Sequence, residues 1–153
     1  MLTLTQYLGP YARHADATAT IQTNALQLID KVNQLYTEAY QDGCELPDNP
    51  ASGSQISGSG NGGFRPLDCP VGAANSTHKQ GRGVDTYDPQ RQFASWCLAH
   101  PEELLQLGLY MEDPRWTPTW VHLQDQPPGS RRTVYVPSQA PALASLPPVW
   151  DAA

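Results

Sequence analysis

The sequence predicts an α+β fold, in which a small antiparallel sheet packs against helices. One long stretch near the N-terminus has the apolar spacing of an amphipathic helix. Several short segments in the second half alternate apolar and polar residues, as strands do when one face of a sheet is buried. Two histidines and an aspartate stand in or beside those segments. Helices and strands that follow each other in separate runs are typical of the α+β class.

Length and charge restrict the class of protein further. The chain has 153 residues, and we expect one domain over 1–153, with a core of about 18–137 and a Pro-rich tail over 138–153. The formal net charge of −6 argues against a nucleic-acid partner, because phosphate contacts need a basic surface. No apolar run is long enough to span a bilayer, and we expect a monomer. The N-terminus lacks the pattern of a signal peptide, which predicts that the protein stays in the cytoplasm of the producing cell.

The long helix is predicted over residues 18–42. Its apolar residues recur at spacings of three and four and form one stripe: Ile21, Ala25, Leu28, Ile29, Val32, Leu35, Tyr36 and Ala39. Thr18 or Thr20 can cap its start, and Gly43 ends it. We expect the stripe to face the core of the same domain, the alternative being a partner helix. Residues 1–17 are interpreted as a leader outside the core.

The middle of the chain is predicted to hold a loop and two shorter helices. Residues 43–63 are rich in Pro, Gly, Ser and Asn, which predicts a surface loop that is either a lid beside the site or a disordered connector. A helix over 88–100 is expected to start at Asp88 as its N-cap. A second helix is expected over 101–108.

The strands are predicted at 84–87, 109–111, 119–124 and 133–136. The last two are joined by a segment that contains Pro and Gly, which predicts an antiparallel hairpin. Alternation in the third strand puts Trp120, His122 and Gln124 on one face and two apolar residues on the other. A histidine on the polar face of a strand that is apolar behind is well placed to bind a metal.

His78, Asp85 and His122 are the candidate zinc ligands. Glycines between the first two let the chain turn so that both side chains point at one ion. Three protein ligands of these types leave a fourth position for water. The alternative is a loop histidine and a separate core histidine. The three cysteines, Cys44, Cys69 and Cys97, form no CxxC pair, so no cysteine zinc site is expected, and a Cys44–Cys69 bridge stays open.

These residues also carry a resemblance to a known family. Ser-x-His, an Asp seven residues after that His, and a distant Trp-x-His resemble the zinc peptidases that cut peptidoglycan stem peptides. The family includes D-Ala-D-Ala carboxypeptidases and the L-Ala-D-Glu endopeptidases of bacteriophage endolysins. Gly62-Gly63-Phe64-Arg65-Pro66 looks like the family's S-G-[YF]-R segment, and residues 73–78 look like its run into the first ligand. The resemblance covers about residues 62–124 and implies the hedgehog/D-Ala-D-Ala-peptidase-like fold.

The resemblance implies a zinc metallopeptidase whose partner is the peptidoglycan stem peptide. It implies that Arg65 lies in the active site, where a guanidinium can bind a carboxylate through two hydrogen bonds. Many members carry an acid three residues before the second His, and here that position is Thr119. We therefore predict Glu112 as the general base, with Asp113 as the alternative.

Three further residues are predicted to line the substrate cleft. Trp120 and Tyr87 could contact a stem peptide, although such aromatic residues are often core. Ser76 is interpreted as a residue on the substrate side whose loop hydrogen bond orients His78. A wall substrate implies action after lysis or from a virion. The opposing hypothesis is a non-catalytic virion or wall-binding protein that keeps the zinc, and Thr119 is its main support.

Overall fold

The computed structural model describes residues 1–137, and these residues form a mixed α+β structure. Its helices are Leu4–Leu8 (α1), Ala19–Gln41 (α2), Gln92–Ala99 (α3) and Pro101–Leu107 (α4). Its strands are Gly83–Tyr87 (β1), Tyr110–Glu112 (β2), Trp120–Gln124 (β3) and Val134–Tyr135 (β4). Short 3₁₀ helices span Gly9–Tyr11 and Thr77–Gln80. The α+β class is confirmed, and the predicted tail over 138–153 lies outside the described residues.

Helix α2 forms as the spacing of its apolar residues predicts. The Thr18 hydroxyl accepts a hydrogen bond from the Ile21 amide, and Asp42 is the C-cap residue before Gly43 at φ +81°. Its stripe is buried in the core of the same chain, and Tyr36 meets both Phe93 of α3 and Thr86 of β1. Although α2 is long, no helix within residues 1–137 is apolar enough to cross a membrane.

The interpretation of residues 1–17 as a leader outside the core is wrong. Thr3 and Gln6 form a capping box that starts α1. Leu2, Tyr7 and Leu8 are buried, and the Tyr7 hydroxyl donates a 2.9 Å hydrogen bond to the Gly83 carbonyl at the start of β1. Helix α1 could not be predicted from periodicity, because a helix of five residues is too short to show a period.

The four-stranded sheet has the order β1-β3-β2-β4. Strand β3 pairs antiparallel with both β1 and β2, whereas β4 pairs parallel with β2. The predicted antiparallel hairpin between β3 and β4 is therefore wrong, and the sheet is not wholly antiparallel. Both edges of β3 are already occupied, so β4 can add only at the free edge of β2.

The two faces of the sheet differ in chemistry. Toward the helices, the sheet presents apolar side chains that are at most 1% exposed: Val84, Met111, Val121 and Leu123. On the opposite face Asp85 of β1 lies directly across from His122 of β3. The sheet therefore separates the hydrophobic core from the polar side chains of the candidate site.

Helices α3 and α4 stand as predicted except at one end. Helix α3 begins at Gln92 rather than next to Asp88, since Arg91 occupies the N-cap position at φ +62°. The Asp88 carboxylate nevertheless accepts hydrogen bonds from the amides of Phe93 and Ala94, so it caps the helix from outside. Helix α4 ends where Gly108 adopts φ +65°.

Residues 43–63 are neither a lid over the cleft nor a disordered connector. The segment follows the outer edge of β1, where the Ser57 amide donates to the Asp85 carbonyl and the Asp85 amide donates to the Gly62 carbonyl. The loop then delivers residues 62–65 to the candidate site. A side chain at Gly63 would lie 2.0 Å from the Tyr7 carbonyl oxygen, so this close passage requires glycine.

The three cysteines take no part in crosslinks. Cys44, Cys69 and Cys97 are buried free thiols, so the Cys44–Cys69 bridge does not form. Burial raises the pKa of the Cys97 thiol well above its usual value. The thiol is therefore protonated at neutral pH, as expected of a small core residue.

Candidate metal centre

His78, Asp85 and His122 converge on one point at the polar face of the sheet. Asp85 Oδ1 lies 2.8 Å from His122 Nδ1 and 3.2 Å from His78 Nε2. The two histidine nitrogens are 3.2 Å apart. His78 lies in the 3₁₀ helix Thr77–Gln80, which directly precedes β1 and Asp85. The pairing of β1 with β3 then brings Asp85 next to His122, which is 37 residues further along the chain.

This arrangement fits zinc. Ligand atoms of a tetrahedral zinc ion with bonds near 2.0 Å lie about 3.3 Å apart. The three separations, 2.8 Å, 3.2 Å and 3.2 Å, are at or slightly below that value. Two imidazole nitrogens and one carboxylate oxygen are zinc ligand types, and three protein ligands leave one position open.

Each ligand has a partner that turns the correct atom toward this point. His78 Nδ1 donates a 2.7 Å hydrogen bond to the Gly63 carbonyl, which leaves the lone pair on Nε2. Arg65 Nη2 donates to Asp85 Oδ2 at 2.9 Å, so Oδ1 is the carboxylate oxygen that faces the histidines. On the far side of His122, Nε2 lies 3.2 Å from Gln124 Oε1. Such outer partners orient ligands and raise their basicity.

The pKa shifts favour the ligand forms of Asp85 and His78 but the protonated form of His122. Burial alone would raise the pKa of Asp85, but the charges and hydrogen bonds of His78 and His122 outweigh it and hold that pKa well below its usual range. Burial lowers the pKa of His78, which favours the neutral ring, although Asp85 opposes this. For His122 burial also acts to lower the pKa, but the Asp85 carboxylate prevails and raises it.

Glu112 lies beside this group, where the sequence predicted a base. The pairing of β2 with β3 places it at the end of β2, one step beyond the Met111–Leu123 pair toward His122. Burial raises the pKa of its carboxyl group, and nearby His122 partly offsets the rise. Among residues 1–137, no side chain or amide donates a hydrogen bond to the Glu112 carboxylate. That carboxylate is therefore available for a proton.

The three ligands lie in an open cleft of about 640 Å³. Four other residues predicted for the site line the same cleft: Arg65, Ser76, Glu112 and Trp120. Tyr87 does not line it and instead borders a separate cavity, beside Pro47 and Pro89. Tyr87 pairs with the cleft residue Trp120 across the two strands, so its contact with a substrate stays a prediction.

The local contacts of Arg65 and Ser76 are defined in the structure. The Arg65 guanidinium is buried against Asp85, and its Nε donates to the Asn61 carbonyl. Ser76 does not orient His78, because the Gly63 carbonyl does so. Thr119 is exposed and does not line the cleft, and a threonine hydroxyl does not take a proton at neutral pH.

Gln124 and Tyr135 are site residues that the sequence analysis did not assign. Gln124 shares a strand face with His122, so alternation already pointed to it. Tyr135 gave no signal, because its hydroxyl reaches Gln124 only through the unforeseen pairing of β4 with β2.

A second group of possible ligands, His14, Asp16 and Asp68, is less suited to a metal. The Asp16 amide donates to His14 Nδ1, and Asp16 Oδ2 accepts from the Leu67 amide. Asp68 is exposed. Lone pairs that already accept backbone hydrogen bonds leave less for a cation, so only the first group is a strong candidate.

Comparison with known proteins adds no assignment. No family model, no curated protein and no solved structure matches this chain. The molecule is thus defined by its own features, as an α+β protein with a three-ligand candidate metal site at the floor of a cleft.

Proposed function

We propose that this protein is a zinc-dependent peptidase that hydrolyses an amide bond in the peptidoglycan stem peptide, as a phage cell-wall lytic enzyme. The observation that carries the proposal is the convergence of three zinc-ligand atoms within 3.2 Å of one another at the floor of an open cleft. The choice of substrate comes from the resemblance of residues 62–124 to the stem-peptide peptidases. Either the D-Ala-D-Ala carboxypeptidase or the L-Ala-D-Glu endopeptidase activity fits.

The side chains in the cleft divide the chemistry among them. His78, Asp85 and His122 would hold zinc, which supplies a Lewis acid and lowers the pKa of water. Glu112 takes the proton of the attacking water at its carboxylate and passes it to the leaving amine. Its raised pKa suits both steps, because a carboxyl group that is too acidic would not deliver the proton.

Arg65 serves two groups at once in this proposal. Its Nη2 and Nε are engaged by Asp85 and by the Asn61 carbonyl. Its Nη1 has no hydrogen-bond partner among residues 1–137, and Arg65 lines the cleft. A carboxylate of the substrate can bind Nη1 without releasing Asp85. One rigid guanidinium would then position both the substrate and the metal ligand Asp85.

The second candidate function is a non-catalytic zinc-containing virion or wall-binding protein on the same fold. Thr119 favours it, since the position that carries an acid in many members of the resembled family has none here. In that case the zinc stabilises the fold and the cleft only binds wall peptides.

Digestion of purified muropeptides distinguishes the two functions. The protein is incubated with them after zinc loading and, in parallel, after treatment with a chelator. We expect new amino and carboxyl ends with zinc and none with chelator, with activity restored when zinc is returned. Full zinc occupancy without any cleaved product on any stem peptide would establish the non-catalytic function.

A further inference from the structure

The side chain of Gln124 lies between the candidate metal ligand His122 and strand β4. Its Oε1 is 3.2 Å from His122 Nε2 and accepts a 2.7 Å hydrogen bond from the Tyr135 hydroxyl. Its Nε2 donates to the backbone carbonyl of Gln126. Gln124 is 6% exposed and Tyr135 is 9% exposed, so water has little access to these contacts.

The Gln126 carbonyl determines which way the Gln124 amide points. A backbone carbonyl only accepts hydrogen bonds, so the amide NH₂ group must face it. The opposite orientation would bring two oxygens together at hydrogen-bond distance, where neither could donate to the other. Consequently Oε1 of Gln124 faces His122, and its second lone pair is occupied by the Tyr135 hydroxyl.

The orientation of the amide then determines where the His122 ring carries its proton. An amide oxygen accepts and cannot donate, so His122 Nε2 must carry the hydrogen. In the neutral ring this leaves the lone pair on Nδ1, the atom that faces Asp85 and His78. In the other tautomer, an Nδ1–H group would donate to Asp85 Oδ1 and close the site to a metal.

We propose that Gln124 and Tyr135 are positioning residues, which hold His122 in the Nε2–H tautomer and thereby make Nδ1 its metal-binding atom. The proposal rests on the zinc site of the proposed function and extends it. It also gives the two-residue strand β4 a role, since β4 brings the Tyr135 hydroxyl to Gln124. The two histidines then bind the metal through different atoms, Nε2 of His78 and Nδ1 of His122.

Zinc affinity tests the proposal without reference to catalysis. Gln124→Leu removes the acceptor and should weaken zinc binding by roughly 10–100-fold, the usual effect of losing an outer partner of a ligand. Tyr135→Phe leaves the His122 contact in place and should weaken binding less. Gln126→Ala is the matched control, because it keeps the backbone carbonyl and should bind zinc as the parent does. Competition with a coloured chelator measures all four proteins.

The tautomer is read directly from nitrogen–proton correlation spectra of the zinc-loaded protein. We expect a proton on Nε2 of His122 and on Nδ1 of His78, a pattern that a merely structural role of Gln124 does not require. Gln124→Leu, which removes the acceptor for His122 Nε2, should weaken or lose the His122 pattern.

Two results would overturn the proposal: parent-like zinc affinity in folded Gln124→Leu, or a parent spectrum in which His122 binds zinc through Nε2. Should Gln124→Leu fail to fold, the parent spectrum decides. Absence of peptide cleavage beside the expected affinities and spectrum would reject the proposed function and keep the positioning role. A parent protein that binds no zinc would reject both.

Discussion

The two faces of strand β3 are buried to a similar degree but for opposite reasons. Val121 and Leu123 are fully buried on the core side, while His122 and Gln124 are 7% and 6% exposed on the cleft side. Removing apolar atoms from water is favourable by itself. Removing an imidazole or an amide from water is unfavourable unless each polar atom finds a partner. The core face is therefore stabilised by burial itself, whereas the cleft face requires a complete set of hydrogen bonds.

The largest expected effect is the loss of a metal ligand from the cleft face. His78→Ala should lower bound zinc from about one equivalent per chain to near zero, because two remaining ligands hold zinc poorly. Metal analysis of protein purified without added metal measures this. His14→Ala, in the second His/Asp group, is the control and should keep its zinc. Full zinc occupancy in His78→Ala would show that the metal binds elsewhere.

The next largest effect concerns proton transfer. Glu112→Gln keeps the size of the side chain but cannot take a proton, so turnover of muropeptides should fall by roughly 10²–10⁴-fold while zinc content stays the same. Glu102→Gln, an exposed acid in the first turn of α4, is the matched control. Near-normal turnover in Glu112→Gln would move the assignment to Asp113, although Arg115 already binds that carboxylate.

On the core face, the expected effect is on stability alone. Leu123→Ala should lower the free energy of unfolding by about 2–5 kcal/mol, because it leaves a cavity in packed surroundings. Urea unfolding with chelator present removes the contribution of metal binding. Leu105→Ala, at a side chain that is 69% exposed, should change stability by less than about 0.5 kcal/mol. Equal losses of stability in Leu123→Ala and Leu105→Ala would show that burial on the core face of β3 does not stabilise the fold.

Arg65 is expected to give a mixed effect, since it orients Asp85 and borders the cleft. Arg65→Lys replaces a planar fork with a single ammonium group, so it cannot maintain the contacts to Asp85 and Asn61 together. We expect zinc affinity to fall by roughly 10–100-fold and cleavage to fall with it. Arg131→Ala, at an exposed arginine, should change neither. Unchanged zinc affinity in Arg65→Lys would limit Arg65 to contact with substrate.

The smallest effect is a dependence of zinc affinity on pH. Asp85 raises the pKa of His122 despite its burial, so a proton competes with zinc for Nδ1 at higher pH than for an ordinary histidine. The metal-free fold gains stability from that proton at low pH and loses it as the pH rises through the raised pKa. Zinc affinity should change oppositely, rising about tenfold per pH unit up to that pKa and then levelling off. Chelator competition across pH measures it, and a flat profile would contradict it.

The features that could be predicted from the sequence are those determined by residues close together in the chain. Helix α2 was predicted because its stripe repeats over 23 residues, and Thr18 and Gly43 mark its ends. Alternation in β3 placed His122 and Gln124 on one face before any coordinates were known. Three candidate ligands, two histidines and one aspartate, stand at a spacing that resembles a known family, and this pointed to the site that the structure brings together.

The parts that the sequence concealed depend on contacts between distant segments. The pairing of β4 depends on which sheet edge is free, and no property of residues 134–135 encodes that. For the same reason the contact of Tyr135 with Gln124 could not be predicted, because it depends on that pairing. Arg65 was expected to meet only substrate, because the approach of residues 62–65 to Asp85 depends on the path of the loop along β1.

The stripe of α2 also has a consequence for synthesis of the chain. The helix is complete at Gln41, but its partners in α3 and in the sheet follow much later, and β3 ends at Gln124. At about 5–20 residues per second, translation leaves this stripe without its partners for several seconds. During that interval the nascent chain presents an apolar surface of the kind that chaperones bind, which α3 and the sheet then cover.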